Sequence, residues 1–234
     1  MITELERDIA GYVREYAAGS AHGLADALSE VLQPRTFAGL LEGIAVDEAR
    51  FAAVLGRSVW HPNGFAKIVL LVGEQFRLRL HTWEGGEAVG DAPQENIHNH
   101  RWDFTAAILA GGYRHQEFQP RASGAPFLGY RYQPSADRSS YALVPLGPRT
   151  LDCVFEADLT RGSRYLMSRT LYHRVVPRQG AGTVSLVLEG PHQPTPVEVF
   201  AEPGVTLPEE APLPRLSPQL LVRQLRAAAE LLLP

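Results

Sequence analysis

The chain has 234 residues, of which 45% are hydrophobic and 21% are charged, and its formal net charge is −4 at pH 7. This length and composition allow a substantial buried core, which excludes an intrinsically disordered protein. The slightly negative charge gives no basic field for nucleic acid or an anionic membrane, so neither is expected as a partner. Cys153 is the only cysteine, so a metal ion would need His, Asp or Glu ligands.

The first 58 residues have the spacing of amphipathic helices. Leu5, Ile9 and Val13 share one helical face, and similar spacing continues as far as Leu55. This pattern predicts a helical N-terminal layer over residues 1–58. Charges are spread through the N-terminus, unlike a signal peptide, and no apolar stretch is long enough to cross a membrane. A cytoplasmic location is therefore expected.

The pattern then changes to short apolar or alternating runs separated by Gly, Pro, Asn and Asp. These runs are FAKIVLLV, QFRLRLHTW, DFTAAIL, FLGYRYQ, YALVPL, TLDCVF, RYLMS and TVSLVLE. Because no helix-length segment separates them, the strands should pair antiparallel and close into a barrel or a two-sheet jelly roll. The expected fold class is all-β, an antiparallel jelly-roll barrel over residues 59–201.

Residues 202–234 are predicted to form a tether followed by a last helix. The part up to residue 216 has too many prolines for regular structure. Ser217 and Pro218 form a helix-start signal, and Leu221, Leu225, Ala228 and Leu232 make an apolar stripe. That stripe packs either on the barrel or on a second copy of the chain, and the second alternative would give a homodimer.

The densest polar signal is the pair His98 and His100 in IHNHRWDF. Two histidines at this spacing point to the same face of a strand, where both can bind one ion. Such a pair alone is weak evidence, so a third ligand is required, and antiparallel pairing can bring His173 beside the pair. Three imidazoles suit Fe, Zn, Cu or Ni. Asp103 is either a fourth ligand or an acceptor that orients a histidine.

These residues carry a resemblance to the cupin superfamily. His98 and His100 match the paired histidines of its first motif, and His173 matches the histidine of its second. The glutamate of the first motif is replaced by Thr105, and two small residues of the second motif are also changed. The resemblance implies a jelly-roll fold with a metal site.

From about residue 63 to residue 189 the chain more narrowly resembles the thiol dioxygenases, the cysteine dioxygenase-like cupins. That family also lacks the motif glutamate and holds iron with three histidines. The resemblance implies Fe(II), with Zn, Ni or Cu as alternatives, and an oxygenase that uses dioxygen. The family's tyrosine and crosslinking cysteine are both missing. The implied substrate is thus a small polar, anionic or sulfur-containing molecule other than cysteine. The alternative function is a redox-neutral metal-dependent isomerase, lyase or hydrolase.

Three further residues are candidates for catalytic roles. Lys67 lies nearest the position of the family's substrate-holding arginine, and it is either a carboxylate anchor or an edge lysine. Glu189 is either a buried base or a solvated strand end, and Tyr172 adjoins the third histidine. Arg77 and Arg79 share one strand face, and we expect the opposite, apolar face to look into the barrel. An all-histidine site favours an anionic ligand.

Overall fold

The computed structural model describes residues 1–20, 22–84, 95–137, 139–178 and 182–231. The helices are α1 (Ile2–Ala17), α2 (Gly23–Val31), α3 (Pro34–Val46), α4 (Glu48–Arg57) and α5 (Pro218–Glu230). None of these helices is long and apolar enough to span a membrane. The strands are β1 (Val59–His61), β2 (Phe65–Val72), β3 (Arg77–Trp83), β4 (Ile97–His98), β5 (Phe104–Ala110), β6 (Gly112–Pro134), β7 (Ser140–Thr160), β8 (Arg164–Met167), β9 (Tyr172–Pro177), β10 (Thr183–Glu189), β11 (Glu198–Ala201) and β12 (Glu210–Pro212).

The strands form two six-stranded antiparallel sheets. The first sheet has the order β1-β2-β3-β10-β5-β8, and the second has the order β11-β4-β9-β6-β7-β12 with an additional pairing of β11 to β6. Strands that are distant in sequence are neighbours in both sheets, as in a jelly roll. The all-β jelly-roll class with N-terminal helices and a C-terminal helix is thereby confirmed.

Helix ends are marked by local sequence signals. Asp47 caps α4, its side chain accepting a hydrogen bond from the Arg50 backbone N–H at 3.0 Å. Ser217 caps α5 in the same way through the Leu220 N–H, and Pro218 occupies the first helical turn. Each of these caps satisfies a backbone donor that would otherwise lack a partner.

The two faces of the first sheet carry different side chains. Leu78, Leu80 and Leu186 on one face join the large apolar core that the helices form outside the barrel. Arg77 and Arg79 on the other face line the interior cavity. The expectation that the apolar face looks into the barrel is therefore wrong. The helical layer covers the outside of this sheet, so its apolar face is buried there and the inner face is free to be polar.

Strands β6 and β7 are much longer than the sequence runs indicate. YALVPL and TLDCVF belong to one strand, β7, which passes through Gly147 at a φ of +82°. Most of β6 before residue 127 was not predicted, because its residues are largely polar and exposed. Pairing with β7 and β9 holds this part of β6 in the sheet, so tertiary context decides its structure.

The C-terminal segment is held to the barrel more tightly than a flexible tether would be. Residues 210–212 form β12, which pairs with β7, although the prolines predicted no regular structure. In α5 the stripe residues Leu221, Leu225 and Ala228 are buried in the same core as the N-terminal helices, and Leu232 lies outside the described residues. The stripe is thus covered within the chain and needs no second copy.

Candidate metal centre

Three histidines converge where β4 meets β9. His98 and His173 are direct cross-strand partners, and His100 follows β4 by two residues. One ring nitrogen from each histidine lies within 4.8 Å of the others. The ring centroids are 4.7–5.0 Å apart. This is the only cluster of three or more potential metal ligands among the described residues.

The donor set fits a metal ion. His100 Nε2 and His173 Nε2 are 2.9 Å apart. Two imidazole nitrogens bound at a right angle, each about 2.0–2.1 Å from one ion, are separated by about 2.9 Å. His98 Nδ1 is 2.9 Å from the Asn96 carbonyl oxygen, which can only accept, so Nδ1 carries the proton and Nε2 keeps its lone pair.

Electrostatics keep these imidazoles in the form that binds metals. Burial holds the pKa of His100 well below its ordinary value, and the Arg79 charge lowers it further. Burial likewise holds the pKa of His173 well below its ordinary value. Neutral imidazole is the ligand form, so both residues are ready for an ion at neutral pH.

Glu95 is a carboxylate at the edge of the cluster that sequence reasoning missed. Its Oε1 atom is 3.9 Å from His98 Nε2 and accepts a hydrogen bond from Asn63 Nδ2 at 2.8 Å. Its Oε2 atom accepts from the Val175 backbone N–H at 2.7 Å, two residues beyond His173. Burial raises the pKa of Glu95. Glu95 therefore joins the two strands that supply ligands.

The histidines face a cavity of about 1120 Å³ between the two sheets. Lys67 lines this cavity and pairs across strands with His81 on one side and Val59 on the other. Burial and the Lys67 charge both lower the pKa of His61 and of His81, which also line the cavity. The positive charge of Lys67 thus lies in the cavity wall close to the neutral imidazoles of His61 and His81.

Glu189 lies behind this wall in a buried ion pair. Its side chain is fully buried and contacts the Arg79 guanidinium, and its Oε2 atom is 3.2 Å from His192 Nε2. The Arg79 guanidinium lies 5.1 Å from the centroid of the Trp102 ring, and His192 stacks on Trp102 with 4.4 Å between ring centroids. Arg79, Trp102 and His192 line the cavity, whereas Glu189 does not. This placement makes Glu189 the counter-ion of Arg79 and does not support the predicted role as a base.

Tyr172 and Asp103 also lie away from the histidine cluster. The Tyr172 hydroxyl donates to Glu198 at 2.8 Å and its ring packs against Phe200, so the predicted catalytic role is not supported. The physical reason is strand alternation, which sends neighbouring side chains to opposite faces. Asp103 accepts hydrogen bonds from the Arg169 backbone and side chain and from Tyr16. It therefore ties α1 to the barrel, and neither of its predicted metal-site roles is supported.

Two tyrosines form a second polar feature of the cavity that sequence reasoning missed. The hydroxyls of Tyr113 and Tyr165 are 2.8 Å apart and both residues line the cavity. Burial raises the pKa of both phenols, so they are neutral at neutral pH. They come from β6 and β8, whose sequences contain no motif, so only the strand pairing reveals them. For Glu95 a signal exists, since it stands three residues before His98.

Comparison with known proteins gives likenesses of fold alone. No family model matches the chain, and no curated protein matches it. A hydroquinone 1,2-dioxygenase solved with Cd²⁺ and 4-hydroxybenzonitrile is 16% identical, with a TM-score of 0.34 over 57% of this chain and 67% of that chain. An RmlC-like cupin from Shewanella frigidimarina is 11% identical, with a TM-score of 0.35 over 59% and 86%. The hydroxypropylphosphonic acid epoxidase from S. wedmorenis is 12% identical, with a TM-score of 0.34 over 57% and 53%. Likenesses this low say nothing about the reaction of this chain.

Proposed function

We propose that the chain is a mononuclear non-heme Fe(II) oxygenase, a dioxygenase whose substrate has an anionic or sulfur-containing polar group. The observation that carries the proposal is the convergence of His98, His100 and His173 on one point in a large internal cavity. Three facial imidazoles leave other coordination positions open for substrate and dioxygen. When bound, iron would supply the electron transfer that dioxygen needs in order to react.

The surrounding residues support an anionic substrate. Neutral histidine ligands bring no negative charge to a divalent ion, and an anionic substrate that binds the ion supplies it directly. Lys67 adds a second positive charge in the same cavity, and we propose that it anchors a substrate carboxylate or comparable anion. Arg79 is already paired with Glu189, so its charge is largely compensated within the protein.

The cavity walls would orient the substrate. Phe104 packs edge-on against His100, with 5.1 Å between ring centroids, and its ring lies 5.8 Å from that of His173. The hydroxyls of Tyr113 and Tyr165 are hydrogen-bonded to each other at the cavity lining, which leaves one of the two neutral hydroxyls with a proton to donate to a ligand. Fixed donors of this kind position a polar substrate before reaction without further reorganisation.

One observation favours a second candidate, a redox-neutral metal-dependent isomerase, lyase or hydrolase. The Glu95 carboxylate lines the cavity 3.9 Å from His98 Nε2. A carboxylate at that position can accept a proton from a water or substrate molecule that a metal ion has activated. This role requires no change in the oxidation state of the metal.

Metal content and oxygen consumption together test the proposal. The purified chain should bind one ion, and oxygen uptake should require Fe(II) during a screen of thiols, amino acids and keto acids. Full activity with Zn(II) in the absence of oxygen would instead establish the redox-neutral candidate. Failure to retain any divalent ion would overturn both proposals.

A further inference from the structure

The cavity that holds the histidines continues into an apolar region. Its lining there consists of side chains without a charged group, which we call the apolar wall: Val59, Tyr141, Leu143, Val199, Leu207 and Leu213. These residues belong to one apolar cluster that is separate from the helix-packed core. The aliphatic members offer a polar ligand no hydrogen-bond partner, so this region favours an apolar occupant.

The apolar wall is a fixed part of the fold. Backbone hydrogen bonds tie the C-terminal segment to it, from Leu213 N–H to Ser139 at 2.7 Å and from Leu143 N–H to Glu209 at 2.8 Å. A third bond runs from the Trp60 N–H to the Pro214 carbonyl at 2.8 Å. The proline-rich segment therefore closes one side of the cavity as a built surface.

The apolar wall begins beside the metal ligands and extends away from them. Val199 is the cross-strand partner of His98, and Val59 is the cross-strand partner of Lys67. From β4 the strands β11, β6, β7 and β12 follow in succession. Four strand spacings amount to about 19 Å along the curved sheet. The apolar wall thus runs from the cross-strand partner of His98 to β12, and Val59 joins it to Lys67 in the other sheet.

We propose, resting on the proposed function of the histidine site, that the substrate is amphipathic. Its anionic head reaches the histidines and Lys67, and its acyl or aryl tail lies along the apolar wall. The cavity of about 1120 Å³ supports this, because its volume slightly exceeds the range of about 300–1,000 Å³ for pockets that take drug-sized ligands. The proposal replaces the expected small substrate with a larger one that carries an apolar tail.

Binding can be measured without turnover through intrinsic fluorescence. All three tryptophans of the chain, Trp60, Trp83 and Trp102, line this cavity. The probes are propanoate, butanoate, hexanoate and octanoate below micellar concentrations, added to the Zn(II)-loaded chain and to the metal-free chain. Each buried methylene should lower Kd by about fourfold. Heptyltrimethylammonium has the same seven-carbon tail as octanoate with a cationic head, and it should bind more weakly than octanoate.

Two variants test whether the tail of the ligand lies along the apolar wall. Leu207→Ser removes an apolar side chain from the wall and should weaken octanoate binding by about threefold to tenfold while propanoate binding changes less. Ala211→Glu, on β12, adds a charge to the cavity lining and should do the same. Val205→Ser is the matched control, since Val205 is exposed in the same segment and is not part of the lining. It should leave both affinities unchanged.

The outcomes separate this inference from the proposed function. Equal affinity across the carboxylate series would overturn the amphipathic substrate, as would equal effects of Leu207→Ser and Val205→Ser, even where Fe(II)-dependent oxygen uptake is observed. Tighter binding of the cationic probe than of octanoate would overturn the anionic head. Chain-length dependence without any oxygen uptake would support the ligand class and contradict the oxygenase.

Discussion

Replacing Glu189 by Gln tests whether this residue is a counter-ion or a base. The Glu189 side chain is fully buried, and its Arg79 partner is 10% exposed. Removing one member of a buried ion pair costs about 3–5 kcal/mol, because the remaining charge stays in a poorly solvated site. Arg79 lines the cavity and keeps some access to water, so the lower end of that range applies. We expect a loss of about 3 kcal/mol, and a fall in Tm of about 6–12 °C.

Thermal and urea unfolding followed by circular dichroism measure this change, with metal content determined in parallel. Bound metal should be unchanged, because Glu189 is not part of the histidine cluster. The double variant Arg79→Met with Glu189→Leu should recover most of the loss, since no unpaired charge remains. Glu156→Gln is the control, because the ion pair of Glu156 with Arg114 is about half exposed and should contribute little. A Glu189→Gln variant of normal stability that binds substrate but does not turn it over would refute the counter-ion and restore the base.

The other predictions concern the metal site and its neighbours. His173→Ala should reduce bound metal from one ion per chain towards none, while circular dichroism still reports a folded barrel. The control is His22→Ala, which alters an exposed histidine and should retain the ion. Lys67→Met should raise the Kd of an anionic ligand by about tenfold at unchanged metal content, and unaltered affinity would remove Lys67 as the anchor. Both carboxylate oxygens of Glu95 now accept a hydrogen bond, and in Glu95→Gln one of them becomes an NH₂ group that faces a donor. The strands that carry the histidines then lose one of these bonds, and metal affinity measured by competition with a chelator should be about 10-fold to 100-fold weaker. An unchanged metal Kd would contradict that role.

The sequence predicts the first sheet well because its strands are apolar and short. FAKIVLLV and TVSLVLE coincide with β2 and β10 over their full lengths. The polar first half of β6 carries no such pattern, and β12 contains a proline at its end, so pairing with neighbouring strands decides both. The hydrophobic pattern of a segment shows its own preference for a strand or a helix, but it does not show which distant strand the segment pairs with.

The candidate site was only partly predictable. The H-x-H spacing indicates His98 and His100 without any structure, and the second histidine motif indicates His173. Alternation shows that Arg77 and Arg79 share a face, but it cannot show which face looks inward when helices cover the other side. Interpretation of the sequence therefore could not place the Arg79 charge in the cavity or show that Glu189 neutralises it.

The two-sided first sheet has a consequence for how this protein can change. Lys67, His81 and Ser185 lie in one row across three neighbouring strands and line the cavity. Their neighbours in sequence Ala66, Ile68, Leu80 and Leu186 belong to the helix-packed core. Alternate residues of the same strands thus serve two purposes. One set packs in the core that stabilises the chain, and the other faces the cavity that binds the ligand. An exchange within the inner row changes what the cavity selects and leaves the helix-packed core intact. New specificities are therefore accessible to this scaffold by single substitutions.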